Sequence, residues 1–494
     1  MKNRILLALM FCALICGPIF SKTNTNKTFM TPRPQLSNMA MEYTTWHMQI
    51  NKLKGFSPSF QLTGFYQGST DKKDIGQYFG YYASNADEIR NYISAATYDQ
   101  VVTNATYPDS INDKYIFHIH DADPVVPGEI QFKPSQEIWG LRIDYYQSLK
   151  YFFLQAAMPI VNVKNKMGLN NIGTLTPFNN AGDPRYGKTI LDYLNGNVSS
   201  ANSTAVPEDQ QAALTHAKIV NSKSKTGVAD IDIAIGYNIF KHKHNRVALK
   251  LDVVIPTGNK AKGQYIFEPI AGNGQYWAFG GGFVSTCRLW QEENDSIQFL
   301  LNADLKYLFR TTQKRTISLK EDDGKKIPFG HYYLGGKSGE QVLFPLANVL
   351  TRDVKVTPGL EFEGMAAFAF NTKNFTLDLG YNIFAKEGEN ASLKNSWEAN
   401  TYAIAATDFD TTGAFAAANI DTTYIKNFIT SSNLDLEALK TPTQITHKFY
   451  GGLGYAFNQC RYPVMLGLGS SYEFSSNNGA IENWAIWGKL GISF

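Results

Sequence analysis

The run Ile297-Gln298-Phe299-Leu300-Leu301-Asn302-Ala303-Asp304-Leu305-Lys306-Tyr307-Leu308-Phe309 decides the fold class. In an extended chain, successive side chains point to opposite faces. Ile297, Phe299, Leu301, Ala303, Leu305, Tyr307 and Phe309 therefore share one face, apolar from end to end. The other face carries Gln298, Asn302, Asp304 and Lys306 together with Leu300 and Leu308. A period of two reads as a strand with one face for an apolar medium and one for water.

The same pattern recurs along the chain. In Phe375 to Phe384, Phe375, Leu377, Leu379, Tyr381 and Ile383 oppose Thr376, Asp378, Gly380 and Asn382. In Val228 to Phe240, Ile231, Ile233, Ile235, Tyr237 and Ile239 oppose Asp230, Asp232, Gly236 and Asn238, and the string Gly-Tyr-Asn-Ile-Phe occurs in both segments. Further strands are expected over Ser59 to Gly68, Ile138 to Gln147, Tyr151 to Val163, Arg246 to Thr257, Gln275 to Trp290 and Asp353 to Phe370. Ile445 to Phe457, Tyr462 to Phe474 and Asn483 to Phe494 close the chain. The total is about twelve strands, within a range of about 10 to 16, each long enough to cross a bilayer at the usual tilt.

The connections fix the architecture. Tight joins fall at Ser148 to Lys150, Lys241 to Asn245, Gln291 to Ser296, Asn371 to Asn374 and Asn458 to Arg461. The other joins are mostly long, at Ser69 to Glu137, Lys164 to Gly227, Gly258 to Gly274, Arg310 to Arg352 and Ala385 to Gln444. Short turns at one end and long loops at the other specify an all-β, transmembrane, antiparallel up-and-down β-barrel with periplasmic turns and extracellular loops containing some helix. A soluble β-sandwich would explain the alternation but not this asymmetry. Aromatics near strand ends, such as Phe299, Tyr307 and Phe309 or Tyr462, Tyr472 and Phe474, suit the two interfacial girdles. Pro159, Pro256, Pro358 and Pro463 are expected near strand ends, where water replaces the missing ladder bond. Helix-compatible runs lie at Asn85 to Gln100, Pro207 to Ile219 and Tyr424 to Leu439, and one or more of these loops is expected over the mouth.

Both ends of the chain agree with a barrel in the bacterial outer membrane. Lys2 and Arg4 precede an apolar run from Ile5 to Phe20 that contains Gly17-Pro18 and gives way to polar residues at Ser21. That is the form of a secretory signal peptide. Residues 1–21 are read as that signal, 22–58 as a periplasmic N-terminal segment or plug, and 59–494 as the barrel. At the other end Trp484, Ile486, Gly488, Leu490, Ile492 and Phe494 share a face. Ile486, Leu490, Ile492 and the terminal Phe494 resemble the signal that the barrel-assembly machinery recognises. The full chain of 494 residues carries 46 basic and 43 acidic groups, so no basic field announces a nucleic-acid partner. The expected partners are outer-membrane lipid and small solutes. After the signal, Cys287 and Cys460 remain, about four strand steps apart round the wall, too far for a disulfide.

The stretch from Gly227 to Gly282 contains Gly227-Val228-Ala229-Asp230, the Gly-Tyr-Asn-Ile-Phe string and Ile255-Pro256-Thr257-Gly258-Asn259. Gly272-Asn273-Gly274-Gln275-Tyr276-Trp277 and a Gly-rich strand follow. It resembles the central hairpins of the superfamily of long-chain fatty-acid and aromatic-hydrocarbon transporters, especially the meta-pathway phenol degradation branch. That resemblance implies a barrel passing small, often apolar, solutes. The Asn-Pro-Ala motif of the fatty-acid channels' luminal hatch does not occur between Lys22 and Pro58, so their ligand residues are not carried over.

The polar faces nominate the lumen. They supply Arg142, Asp144, Asp230, Asp232, Lys250, Asp252, Arg288, Asp304, Lys306, Lys355, Glu361, Glu363, Asp378, Lys448, Glu473 and Lys489. On the lipid face each charge would cost about 2 to 4 kcal/mol at mid-bilayer. These charges either pair across strands or select solutes. About twelve strands imply a narrow or partly plugged pore, between the filled barrel of about 8 and the open channel of about 16. Two other classes fit parts of the pattern: a structural or adhesive surface protein with a plugged lumen, and a barrel-embedded hydrolase. For the latter, His447 lies on the lipid face, where its neighbours Ile445 and Phe449 supply no nucleophile. His118, His120, Asp121 and Asp123 cluster in the first long loop, a weak metal signal better read as His118 and His120 sharing one face of a short loop strand. No catalytic residue, cofactor or metal is assigned.

Overall fold

The computed structural model describes residues 26–45, 57–70, 72–80, 89–94, 111–112, 128–172, 184–201, 210–242, 245–406, 413–459 and 461–494. Twelve strands form the wall: β1 (Ser57–Ser69), β2 (Ser135–Ser148), β3 (Phe152–Lys166), β4 (Ile231–His242), β5 (Asn245–Ile255) and β6 (Ala278–Glu292), followed by β7 (Asp295–Leu308), β8 (Gly359–Thr372), β9 (Phe375–Lys386), β10 (Gln444–Phe457), β11 (Val464–Ser475) and β12 (Asn483–Ser493). Each pairs antiparallel with its neighbours in sequence. β12 returns to β1 in a register running from Ser59 opposite Ser493 to Ser69 opposite Asn483, so the sheet is a closed barrel. Closure leaves the wall without an edge, as a spanning sheet requires.

The alternation read from sequence becomes an inside and an outside. Leu251 is 56% exposed on the outer face, while its neighbour Asp252 is wholly buried in the lumen. Large apolar side chains such as Leu453, Leu468, Ile486 and Leu490 stand exposed round the whole exterior. In water such a belt would be a liability; against lipid it is the stabilising surface. Aromatic pairs ring its two rims. Phe60–Tyr145, Phe375–Tyr455 and Tyr462–Phe494 lie at the turn end, and Tyr66–Trp484 and Tyr307–Phe309 at the loop end, all with ring centres 4.7 to 5.4 Å apart.

Three boundaries differ from the sequence reading, each for a backbone reason. The expected strand Asp353 to Phe370 is two strands broken at Pro358: Thr351–Thr357 belongs to a sheet in the loops, and β8 starts at Gly359 with φ 81°. Val228 to Phe240 likewise divides at Ala229-Asp230, giving Ser222–Val228 and β4. Gln275 to Trp277 precede β6, which begins at Ala278. Pro159 sits in the middle of β3 and not near its end. It marks the point where the partner of β3 changes from β4 to Ser222–Val228, so the ladder position it cannot fill falls at the break between two partners.

The long loops build a cap with its own apolar core. Strands Thr311–Thr316, Thr351–Thr357 and Asn390–Leu393 form one small sheet, and Leu334–Lys337 with Phe344–Pro345 and Tyr402–Ile404 another. Ile317, Leu319, Leu346, Leu350, Val354 and Val356 are fully buried between them. Helix is present in this cap, but not where expected. Ile89–Ser94 is a strand, Gln210 to Ile219 is irregular, and Tyr424 to Leu439 holds only a single 3-10 turn at Ser431–Asn433. Among the described residues of the cap the α-helices are Lys72–Phe79, Ile190–Asn195 and Ala347–Leu350. Ile190–Asn195 is set by a capping box between Thr189 and Asp192 and by Gly196 at φ 81° at its end, local signals stronger than helix-compatible composition.

Candidate functional site: the lumen

The lumen is occupied by the chain's own residues 26–45. Asn26 to Thr31 lie in the cap. Lys27 N–H donates to the Tyr78 carbonyl (3.0 Å), Thr28 N–H to the Ala438 carbonyl (2.9 Å) and the Thr28 hydroxyl to the Thr316 carbonyl (2.5 Å). The chain then descends between the strands. A short helix, α1 (Met39–Tyr43), is capped by Asn38, and Thr45 reaches the turn end, where its N–H donates to Asp378.

Most charged wall residues on this route find a partner on the segment or across the lumen; the buried Lys386 ammonium, at the loop end of β9, has no hydrogen-bond partner among the described residues. Arg33 is the upper hub: its two terminal nitrogens meet Glu473 (2.7 Å) and Glu363 (2.6 Å), its Nε donates to the Ser37 carbonyl, and its guanidinium lies 4.6 Å over the Phe384 ring. Lys448 pairs with Glu473 at 3.1 Å, and the Ser37 hydroxyl donates to Glu361 (2.6 Å). A lower hub joins α1 to β2: Arg142 contacts Glu42 (2.6 Å), Asp144 (2.7 Å) and the Leu36 carbonyl (2.8 Å). Lys489 donates to the Thr44 and Glu42 carbonyls at 2.6 and 3.0 Å. On the opposite wall Lys250 bridges Asp304 (2.7 Å) and Asp252 (3.2 Å), and Lys306 meets Asp232 at 2.5 Å. Such buried charges persist because they are paired and hydrogen-bonded.

Two nominated residues lie elsewhere. Asp230, at the rim, accepts from the N–H groups of Asn273 (2.6 Å) and Gly258 (3.4 Å) and so anchors the loop between β5 and β6. Lys355 is in the cap sheet, opposite Thr312 and Ser392, because the strand it was assigned to ends at Pro358. Arg288 sits at the turn end of β6, opposite Gln298 and beside a bulge. On the terminal strand Ile486, Leu490 and Phe494 point outward and are exposed, and Ile492 lies in the same row. Residues 1–25, Cys460 and the His118 to Asp123 cluster fall outside the described residues. Cys287 is a free thiol.

Sequence reasoning did not find Arg33, Glu42 or Thr45, which lie outside any strand period. It also missed the apolar part of the lumen. Phe153, Tyr450 and Trp487 lie inward, each in register with a glycine on the next strand: Gly236, Gly380 and Gly469 respectively. A Cβ on any of those glycines would collide with the facing ring. The twice-occurring Gly-Tyr-Asn-Ile-Phe therefore has a physical reason: its Gly receives a ring, and its Asn (238 or 382) binds an arginine, Arg246 or Arg33. Glycines also make room for the segment itself. A Cβ on Gly452 would strike Thr44, and one on Gly454 or Gly467 would strike Thr45. Met39, Ala40, Met41 and Tyr43 of α1 pack on a luminal apolar patch of Leu300, Met365, Ala367, Tyr450 and Trp487.

Among the described residues little free space remains in the lumen. One cavity of about 30 Å³ is lined by Glu42, Gln155, Asp232, Lys250 and Asp304, and a second of about 30 Å³ by Arg33, Thr446, Lys448 and Glu473. Each has room for roughly one or two waters.

His447, the hydrolase candidate, does have a hydroxyl neighbour in space. Its Nε2 lies 3.2 Å from Ser476 Oγ, and its Nδ1 lies 2.5 Å from Tyr381 Oη. The group on Nδ1 is a phenol where the serine-hydrolase pattern places a carboxylate or amide, and the Ser476 N–H is committed to the Ile445 carbonyl. Nucleophilic chemistry is not assigned to this pair.

No family model and no curated protein matches the chain. Among solved structures, an outer-membrane channel from Pseudomonas putida F1 aligns at 8% identity over 90% of this chain and 97% of that one, with a TM-score of 0.36. The monoaromatic hydrocarbon channel TodX, in a deletion mutant, aligns at 8% identity over 96% and 98%, with a TM-score of 0.33. The outer-membrane protease OmpT of Escherichia coli aligns at 8% identity over 90% and 99%, with a TM-score of 0.24. Scores this low carry no argument, so function has to be argued from the lumen itself.

Proposed function

We propose that the protein is an outer-membrane channel for passive passage of small solutes, apolar and aromatic ones included, with residues 26–45 as a plug that closes it. One observation carries the reading: the wall surface under α1 is apolar on one side, at Leu300, Met365, Tyr450 and Trp487, and charged on the other, at Arg142, Asp232, Lys250 and Asp304. A wall that served only to fill itself would need no separate segment. With the plug withdrawn, that surface becomes an amphipathic path that a small aromatic solute fits, with its ring on the apolar patch and any polar group on the charges.

The test is conductance in planar bilayers of the refolded barrel and of a variant lacking residues 26–45, each with and without a monoaromatic or fatty-acid solute. Leak-level current in the intact protein, and resolved steps with solute flux in the deletion, are expected. The tight closure also favours a second reading, a surface protein whose barrel is only an anchor. A correctly folded deletion variant that neither conducts nor passes solute would establish that alternative and remove the channel.

A further inference from the structure

We propose that residues 26–45 thread the barrel from the turn end to the loop end, so that the outer end of the segment, at Asn26, stands on the extracellular face. The inference does not depend on whether solute passes.

The level of each contact fixes the direction of the segment. Its C-terminal end, Thr44 and Thr45, is seated on Gly452, Gly454, Gly467 and Asp378, in the halves of β9, β10 and β11 nearest their tight turns. Arg33 meets Glu363 and Glu473, in the halves nearest the loops. Above that, Gln35 accepts from the N–H of Gly272 in the loop between β5 and β6 (2.7 Å), and Thr31 donates to Glu389 in the loop after β9 (2.8 Å). Phe29 lies under the Arg315 guanidinium at 4.0 Å, and Lys27 reaches the Glu437 carbonyl at 2.9 Å. Tyr78, Thr316, Glu389 and Ala438, its partners here, come from three different long loops.

Two consequences follow from this path. Residues 26–31 therefore have to reach the loop end of the barrel during assembly. The same stretch of chain also fills the lumen and ties the cap together, which makes its outer end a handle on both.

An epitope inserted between Thr25 and Asn26 tests this in intact cells. Matching insertions between Asp323 and Gly324, an exposed cap turn, and between Glu293 and Asn294, the β6–β7 turn, calibrate the two sides. Antibody binding to intact cells for the 25/26 and 323/324 insertions, and only after permeabilisation for the 293/294 insertion, is expected. Binding at 25/26 that follows the 293/294 pattern, or that appears only on denaturation, would overturn the proposal. Should the insertion prevent the folded band on unheated gels, Lys27→Cys in a C287S/C460S background and a membrane-impermeant maleimide replace it. Labelling in intact cells supports the threading, and labelling only in broken cells, or none in either, overturns it.

Discussion

The wall and the cap sit one above the other on the same chain, yet they are held together differently. The wall is a ladder: twelve strands pair in order, the large outward side chains are mostly apolar, and the inward ones are mostly polar, glycine or aromatic with an apolar patch at Leu300, Met365 and Ala367. Its order comes from backbone hydrogen bonds that no water could replace in lipid. The cap has only short strand pairs, and its order comes from a buried apolar cluster and from one ion pair, Arg315 with Glu389, at 2.5 Å and with both side chains wholly buried. Around that pair converge Thr31, Gln313, Tyr276, the Thr441 N–H and the Leu439 carbonyl. A wall of this kind tolerates change at single side chains and resists insertion, whereas the cap depends on a few residues.

The sharpest test of that contrast is Glu389→Ala. It leaves Arg315 buried without its partner, an expected loss of about 3 to 5 kcal/mol from the cap. Limited proteolysis should then cut the loops readily while the barrel keeps its heat-dependent gel shift; loss of both together would mean that wall and cap are one unit. Next in size, Leu251→Lys places a charge on the lipid face near the middle of β5, an expected cost of about 2 to 4 kcal/mol read from urea unfolding in vesicles. That variant should leave loop proteolysis unchanged.

The same contrast explains how much was legible in the sequence. Ile297 to Phe309 declares itself because every second residue reports the same surroundings, and Asp304 and Lys306 lie where the period puts them. Lys355 went wrong because period two continues through Pro358 although the strand does not. Arg33 and Glu42 were invisible for a different reason. Their partners, Glu363, Glu473 and Arg142, lie far away in sequence, and the segment that carries them has no period. The inward glycines were legible as letters but not as roles, since a glycine that receives a ring looks like any other until the register is known.

A smaller effect is expected at the join between the wall and its contents. Gly454→Leu keeps the ladder but drives a side chain into Thr45, an overpacking cost of about 1 to 3 kcal/mol that the segment can relieve by leaving its seat. Bilayer recordings should show intermittent opening in place of leak-level current, with the unfolding midpoint of the wall little changed. An unaltered recording alongside a destabilised wall would mean that the segment is as rigid as the strands.

Acid should separate the two regions most gently. Within the cap His331 is buried in the turn Gly330–Tyr332, with Nδ1 3.3 Å from Ser318 Oγ and no partner on Nε2. Burial pushes its pKa down to about 3 from 6.5. The folded cap therefore refuses a proton that the open cap accepts, so stability present above about pH 6.5 is lost progressively as the pH falls toward 3. Glu389 acts in the same direction but lower. Burial alone would raise its pKa, yet Arg315, by charge and by hydrogen bond, holds it at about 2, so its contribution is lost only between about pH 4.5 and 2. At pH 5, then, of these two only His331 has lost much of its contribution, and the cap should weaken through it by about 1 to 2 kcal/mol. That loss should appear as faster loop proteolysis and be much reduced in His331→Gln, which removes the titrating group. If the wild type and that variant respond equally at pH 5, the sensitivity lies outside His331, and the cap's balance of forces has to be sought in another buried group.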